Sequence, residues 1–86
     1  MHLLKIVALI APAVYACSDN GYRCKNDDVD ADTSFQTTES YCDKSGGELC
    51  YCSRADEDYC DLLAQDVEYF QTKCEDYGSG WYSDKC

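Results

Sequence analysis

The chain has 86 residues and eight cysteines, and its 17 Asp or Glu outnumber seven Lys or Arg to give a net charge of −10. So acidic a surface repels phosphate backbones and anionic lipid, which argues against nucleic-acid binding and against the cationic membrane-disrupting mode of many defensins. The length allows one domain, too small to be held comfortably by apolar burial alone.

Residues 1–16 read as a secretory signal peptide. His2 and Lys5 give a basic start, Ile6 to Ala11 is an unbroken apolar run, and Pro12 precedes the small-residue site Val14-Tyr15-Ala16. Even counted from Leu3, the apolar stretch is far shorter than the roughly 20 residues that cross a bilayer, so no membrane span is expected. Cleavage after Ala16 leaves a single disulfide-stabilised secreted domain, residues 17–86, that begins at Cys17 and runs to Cys86. Lys5 departs with the leader, and the net charge becomes about −11.

Export decides how the cysteines read. Cys17, Cys24, Cys42, Cys50, Cys52, Cys60, Cys74 and Cys86 are an even set in a short secreted chain, which predicts four disulfides. Each native bridge typically contributes about 2–4 kcal/mol, which a domain of this size needs. Structural zinc is the competing reading. It lacks a Cys-x-x-Cys pair, and the only histidine, His2, lies in the leader.

Along the mature chain, Ser18-Asp19-Asn20-Gly21 is a turn signal and Tyr22-Arg23-Cys24 can open a strand. Asp27 to Ser34 reads as an exposed acidic loop. Phe35 to Cys42, rich in Thr, Tyr and Phe, is predicted to form a β-hairpin with Glu48 to Cys52 around Lys44-Ser45-Gly46-Gly47. In the second arm Leu49 and Tyr51 alternate with Cys50 and Cys52, placing apolar groups on one face and sulfurs on the other. Ser53-Arg54-Ala55-Asp56 has the form of a capping box and is followed by the acids Glu57 and Asp58. Cys60, Leu63, Val67, Phe70 and Cys74 then recur at helical spacing, and Gly78 supplies a stop. Gly80 to Cys86 is a tail in which Trp81 and Tyr82 pack before the last cysteine.

On that helix Cys60 and Cys74 would be about 21 Å apart, whereas Cys50 and Cys52 on a strand are separated by only about 7 Å. At most one bridge from this pair to the helix is therefore expected. The remaining pairings stay open.

Two candidate sites stand out. Asp28, Asp30, Asp32 and Glu39 fall at positions one, three, five and twelve of an EF-hand calcium loop, although Thr33 replaces its turn glycine and the residues before it are too turn-rich for a flanking helix. A solvated acidic loop is the simpler reading, and weak Ca2+ binding is the only cofactor this pattern allows. Trp81 and Tyr82, beside Gly78 and Gly80, are the candidate contact pair for a protein or a sugar, against the simpler reading that the rings fill a core short of aliphatics. With His2 removed and every thiol oxidised, neither an imidazole nor a thiolate remains for nucleophilic catalysis, so no enzyme is expected.

The leader, the cysteine at the cleavage point, Cys50-Tyr51-Cys52, the Phe70 to Cys74 helix end and the terminal Gly80-Trp81-Tyr82 to Cys86 together resemble small secreted cysteine-rich proteins of filamentous fungi, the effector-like class. The resemblance implies an extracellular protein acting at a host or competitor cell surface, with no shared chemistry or site residues. The expected fold is α+β, a small disulfide-rich domain with a two- or three-stranded antiparallel sheet packed on one helix. The expected function is that of a monomeric, secreted, non-enzymatic interaction protein whose rigid surface binds an extracellular or host protein. Alternatives are a module for a cell-wall polysaccharide such as chitin, and a defensin-like antimicrobial protein.

Overall fold

The computed structural model describes residues 15–86. The expected leader therefore lies outside the described residues, apart from Tyr15 and Ala16. Strand β1 (Gly21–Lys25) is followed by helix α1 (Ala31–Lys44), strands β2 (Glu48–Cys52) and β3 (Glu57–Asp61), a 3-10 turn at Ala64–Asp66, helix α2 (Val67–Asp76) and strand β4 (Tyr82–Lys85). The strands form one sheet in the order β2-β3-β1-β4, antiparallel throughout. This is the split βαβ arrangement, in which each helix links two strands that are not neighbours. The α+β expectation holds, with four strands rather than two or three and two helices rather than one.

Phe35 to Cys42 is helix rather than the expected hairpin arm. The helix starts where Asp30 accepts a hydrogen bond from the Thr33 backbone N–H at 2.8 Å, an N-cap that satisfies one of the end's unpaired donors. It ends in a Schellman motif, with Gly46 at φ 73°, Gly46 N–H donating to the Asp43 carbonyl and Gly47 N–H to the Cys42 carbonyl. The Gly-Gly pair thus closes a helix instead of turning a hairpin. The buried face of α1 is made by Ser34, Thr37, Thr38 and Cys42, small or polar residues that carry little hydrophobic signal.

The hairpin that does form joins β2 to β3. Ser53 to Asp56, expected to cap a helix, is its turn, and Asp56 takes the left-handed conformation at φ 54°. Asp is one of the few non-glycine residues that tolerate it. The expected helix from Cys60 to Cys74 is thereby shortened to α2. Cys60 lies on β3 opposite Leu49, while Phe70 and Cys74 are buried on α2 as the periodicity predicts.

The sheet has two covered faces. On the helix side, Cys24, Cys42, Cys60, Leu62, Phe70 and Cys74 form one buried cluster; on the other, Cys50, Cys52 and Tyr59 form a second, flanked by Cys17 and Ala55. Sulfur takes the place of aliphatic side chains in both. Four disulfides join Cys17 to Cys50, Cys24 to Cys74, Cys42 to Cys60 and Cys52 to Cys86, and no described cysteine is free. Two of them tie a helix to the sheet, and the other two lie on the helix-free face. Neither Cys50 nor Cys52 reaches a helix. Gly47 passes so close to the Cys42–Cys60 bridge that a Cβ there would sit 2.6 Å from the Cys60 sulfur.

Thr38 resolves a break in the sheet. β1 pairs with β3 only at Gly21 and Tyr22, after which the two strands part. The Thr38 hydroxyl, 1% exposed, enters the gap, accepting from Cys24 N–H at 2.9 Å and reaching the Cys24 and Ser34 carbonyls at 3.2 and 3.0 Å. The backbone groups that a continued β1–β3 ladder would have paired are satisfied by a side chain instead.

Candidate functional site

The expected calcium positions do not converge. Asp28 lies in the turn before α1, Asp30 is spent on the N-cap, Asp32 is in the first turn, and Glu39 is carried about 13 Å along the axis from Asp30. A loop that would have wrapped a cation is instead rod-like. Among the described residues no group of three or more His, Cys, Asp or Glu is placed to hold a metal ion. The hydrogen bond from Thr33 N–H holds the Asp30 carboxyl below its ordinary range, as expected for a capping residue.

Trp81 and Tyr82 are both near the surface but do not form one platform. Trp81 packs against the helix-side cluster, edge-on to Tyr77 at 4.9 Å and 86°, and Tyr77 is in turn edge-on to Tyr41 at 5.9 Å and 82°. Tyr82 donates a hydrogen bond to Asp27 at 2.9 Å, which raises its phenol above the ordinary value. The aromatic array that does exist, Tyr41–Tyr77–Trp81, spans α1, the end of α2 and the approach to β4. Sequence reading missed it because Tyr41 was assigned to a strand.

A polar network lies on the helix-free face. Arg23 on β1 bridges Glu57 on β3 and Asp84 on β4, with its guanidinium 4.9 Å above the Tyr59 ring. The Tyr59 hydroxyl donates to Asp84 at 2.9 Å, and Arg54 donates to the Lys85 carbonyl at 2.6 Å. Burial, reinforced by the bond to Asp84, pushes the Tyr59 phenol up to about 12. Each charge here is matched by an opposite one, so the network serves to hold β3, β1 and β4 together and is not a vacant anion site.

A concave surface lies between α1 and the outer strand β2. This groove of 460 Å³ has Gln36, Glu39, Ser40 and Asp43 of α1 on one wall and Gly47 and Leu49 on the other, with the Cys42 sulfur beneath. The segment Tyr15 to Cys17 runs along the outer edge of β2. Tyr51 N–H donates to the Tyr15 carbonyl at 2.8 Å, Cys17 N–H donates to the Tyr51 carbonyl at 3.2 Å, and the Tyr15 hydroxyl donates to Glu48 at 3.1 Å. The bridge between Ala16 and Tyr51 is parallel. Nothing in the composition of β2 signals that its edge would hold another segment.

No helix among the described residues is long and apolar enough to cross a membrane. Comparison with models of known protein families, with curated proteins and with solved structures found no match. Four disulfides in so small a domain are typical of extracellular proteins.

Proposed function

We propose that the protein is secreted, loses residues 1–16, and acts as a non-enzymatic effector-like interaction protein that binds another protein at a host or competitor cell surface. The observation that carries this reading is the bridging pattern: four disulfides fasten both helices and both ends of residues 17–86 to one sheet. A surface held in this way loses little freedom on binding, so recognition is pre-organised. The full use of cysteine in bridges and the position of His2 in the leader support a role in recognition rather than catalysis. Protein contact also suits the aromatics better than polysaccharide stacking does. Successive rings of Tyr41, Tyr77 and Trp81 are nearly perpendicular and offer no run of coplanar faces to sugar rings.

The test is affinity purification with the exported, oxidised protein from extracts of candidate host or competitor cells, followed by mass spectrometry. A parallel bait is reduced and alkylated. A specific protein retained only by the oxidised bait is the expected result. Equal retention by both baits, or retention on insoluble chitin that disappears in Trp81→Ala, would overturn it.

A further inference from the structure

We propose that removal of the leader uncovers a strand-docking edge on β2, and that its occupant is an extended segment of a partner protein bearing Lys or Arg side chains. The inference rests on the secreted interaction reading above and names the surface and the partner chemistry.

β2 is the outermost strand on its side of the sheet. Because the Tyr51 N–H and carbonyl are both engaged by Tyr15 and Cys17, Tyr51 faces Asp58 as a pair that is not hydrogen-bonded within the β2–β3 ladder. By the same alternation Leu49, opposite Cys60, also directs its N–H and carbonyl outward. Cleavage after Ala16 takes away the Tyr15 carbonyl and the Tyr15 hydroxyl. Cys17 remains, held by its bridge to Cys50. The Tyr51 N–H then joins the two outward groups of Leu49 on an open edge that has already been shaped around an extended chain. Such an edge is a template for strand addition, with backbone bonds giving affinity and alternate side chains giving specificity.

The charges around the edge select the occupant. Side chains of an added strand alternate between two rows. One row enters the groove rimmed by Glu39 and Asp43, and the other meets Glu48, where Tyr15 donated. Both rows therefore face carboxylates. A second copy of the chain, with a net charge of about −11 after cleavage, is repelled from this edge, whereas a basic segment is attracted and steered to it.

The experiment uses the protein exported through its own leader, with the new N-terminus read by mass spectrometry and the chain labelled for amide NMR. The probe is a short capped peptide alternating valine with lysine. Controls are the same peptide with glutamate for lysine, and one N-methylated at every backbone nitrogen so that neither of its edges can donate to a sheet. The expected result is an N-terminus at Cys17, saturable shifts centred on the Leu49 and Tyr51 amides, and slower exchange of the Tyr51 amide. Binding should weaken about tenfold in the double variant Glu39→Gln and Asp43→Asn, whose side chains are exposed. Neither control peptide should bind. Shifts spread over the acidic surface, equal binding of the N-methylated peptide, no binding of the lysine peptide, a native chain that keeps Tyr15, or an edge-to-edge dimer would each overturn the proposal. If affinity purification retains a specific protein whose capture is unchanged in the double variant, the interaction reading stands and the docking edge falls.

Discussion

Replacing Thr38 with Val tests whether a side chain repairs the gap between β1 and β3. The two residues are nearly the same size and both are β-branched, so helix α1 loses neither volume nor appreciable propensity. What disappears is the hydroxyl that accepts from Cys24 N–H and reaches the Cys24 carbonyl, at a position 1% exposed. Cys24 is itself fully buried, so water cannot take the hydroxyl's place without disturbing the core. Leaving buried backbone groups unpaired costs about 1–3 kcal/mol for each group. Allowing for partial relaxation, the loss should be about 2–3 kcal/mol, which lowers the melting temperature by roughly 10–20 °C in a domain of this length. Thr38→Ser is the control, since it keeps the hydroxyl and gives up one methyl group, worth about 1 kcal/mol. Thermal unfolding of the oxidised proteins followed by circular dichroism reads both. A Thr38→Val protein as stable as Thr38→Ser would refute the reasoning and place the β1–β3 contact elsewhere.

Removing the Cys24–Cys74 bridge with paired alanines should cost more than removing Cys42–Cys60, about 4 against about 3 kcal/mol by loop entropy, because the bridged residues are 50 rather than 18 apart in sequence; urea midpoints of the two double variants give the order. Tyr59 stays protonated in the fold to about pH 12, above its ordinary value of 10.0, so its contribution to stability is complete below pH 10 and is lost as the pH rises through 12. In Tyr59→Phe, rapid spectrophotometric titration should lose the latest phenolate transition, and stability should fall less steeply over that interval. Asp30→Ala should lower the melting temperature by a few degrees through loss of the N-cap, with Asp30→Asn close to the parent near neutral pH. The advantage of Asp30 over alanine is present above its ordinary value of 3.8 and disappears as the pH falls through its lowered folded-state value, so a pH series of melting curves checks both parts.

Where burial followed a simple period, the sequence was readable. The alternation of Leu49 and Tyr51 with Cys50 and Cys52 identified β2, and Val67, Phe70 and Cys74 identified α2. Helix α1 was hidden because its inward face is Ser34, Thr37 and Thr38, whose β-branched and hydroxyl side chains read as strand or loop. Thr37 and Thr38 are inside with their hydroxyls paired to backbone groups, and Ser34 is small enough to be buried with its hydroxyl unpaired; neither arrangement has a hydrophobic period. Strand β3 was hidden for the opposite reason. Glu57 and Asp58 resemble the acidic first turn of a helix, but Glu57 is held by Arg23 across the sheet, and Asp61 at the far end of the strand is held by Ser18, both partners remote in sequence. The limit placed on the disulfide map held, since neither Cys50 nor Cys52 pairs with Cys60 or Cys74, but moving Cys60 off the helix removed the Cys60–Cys74 separation on which it rested. For the candidate site, the cysteines and the surface aromatics were legible, whereas the β2 edge and the groove beside it depend on how Tyr15, Tyr51 and α1 meet in space.

The order of the bridges has a consequence for survival among proteases. The spans 17–50, 24–74, 42–60 and 52–86 overlap so that every peptide bond from Cys17 to Cys86 is enclosed by at least one of them. A single endoproteolytic nick anywhere in that stretch therefore releases no fragment, and the clipped molecule stays covalently whole until a reductant is present. Proteolytic damage that would dismantle an unbridged chain leaves this one assembled, and the clipped molecule would come apart on meeting the thiols of a cytosol.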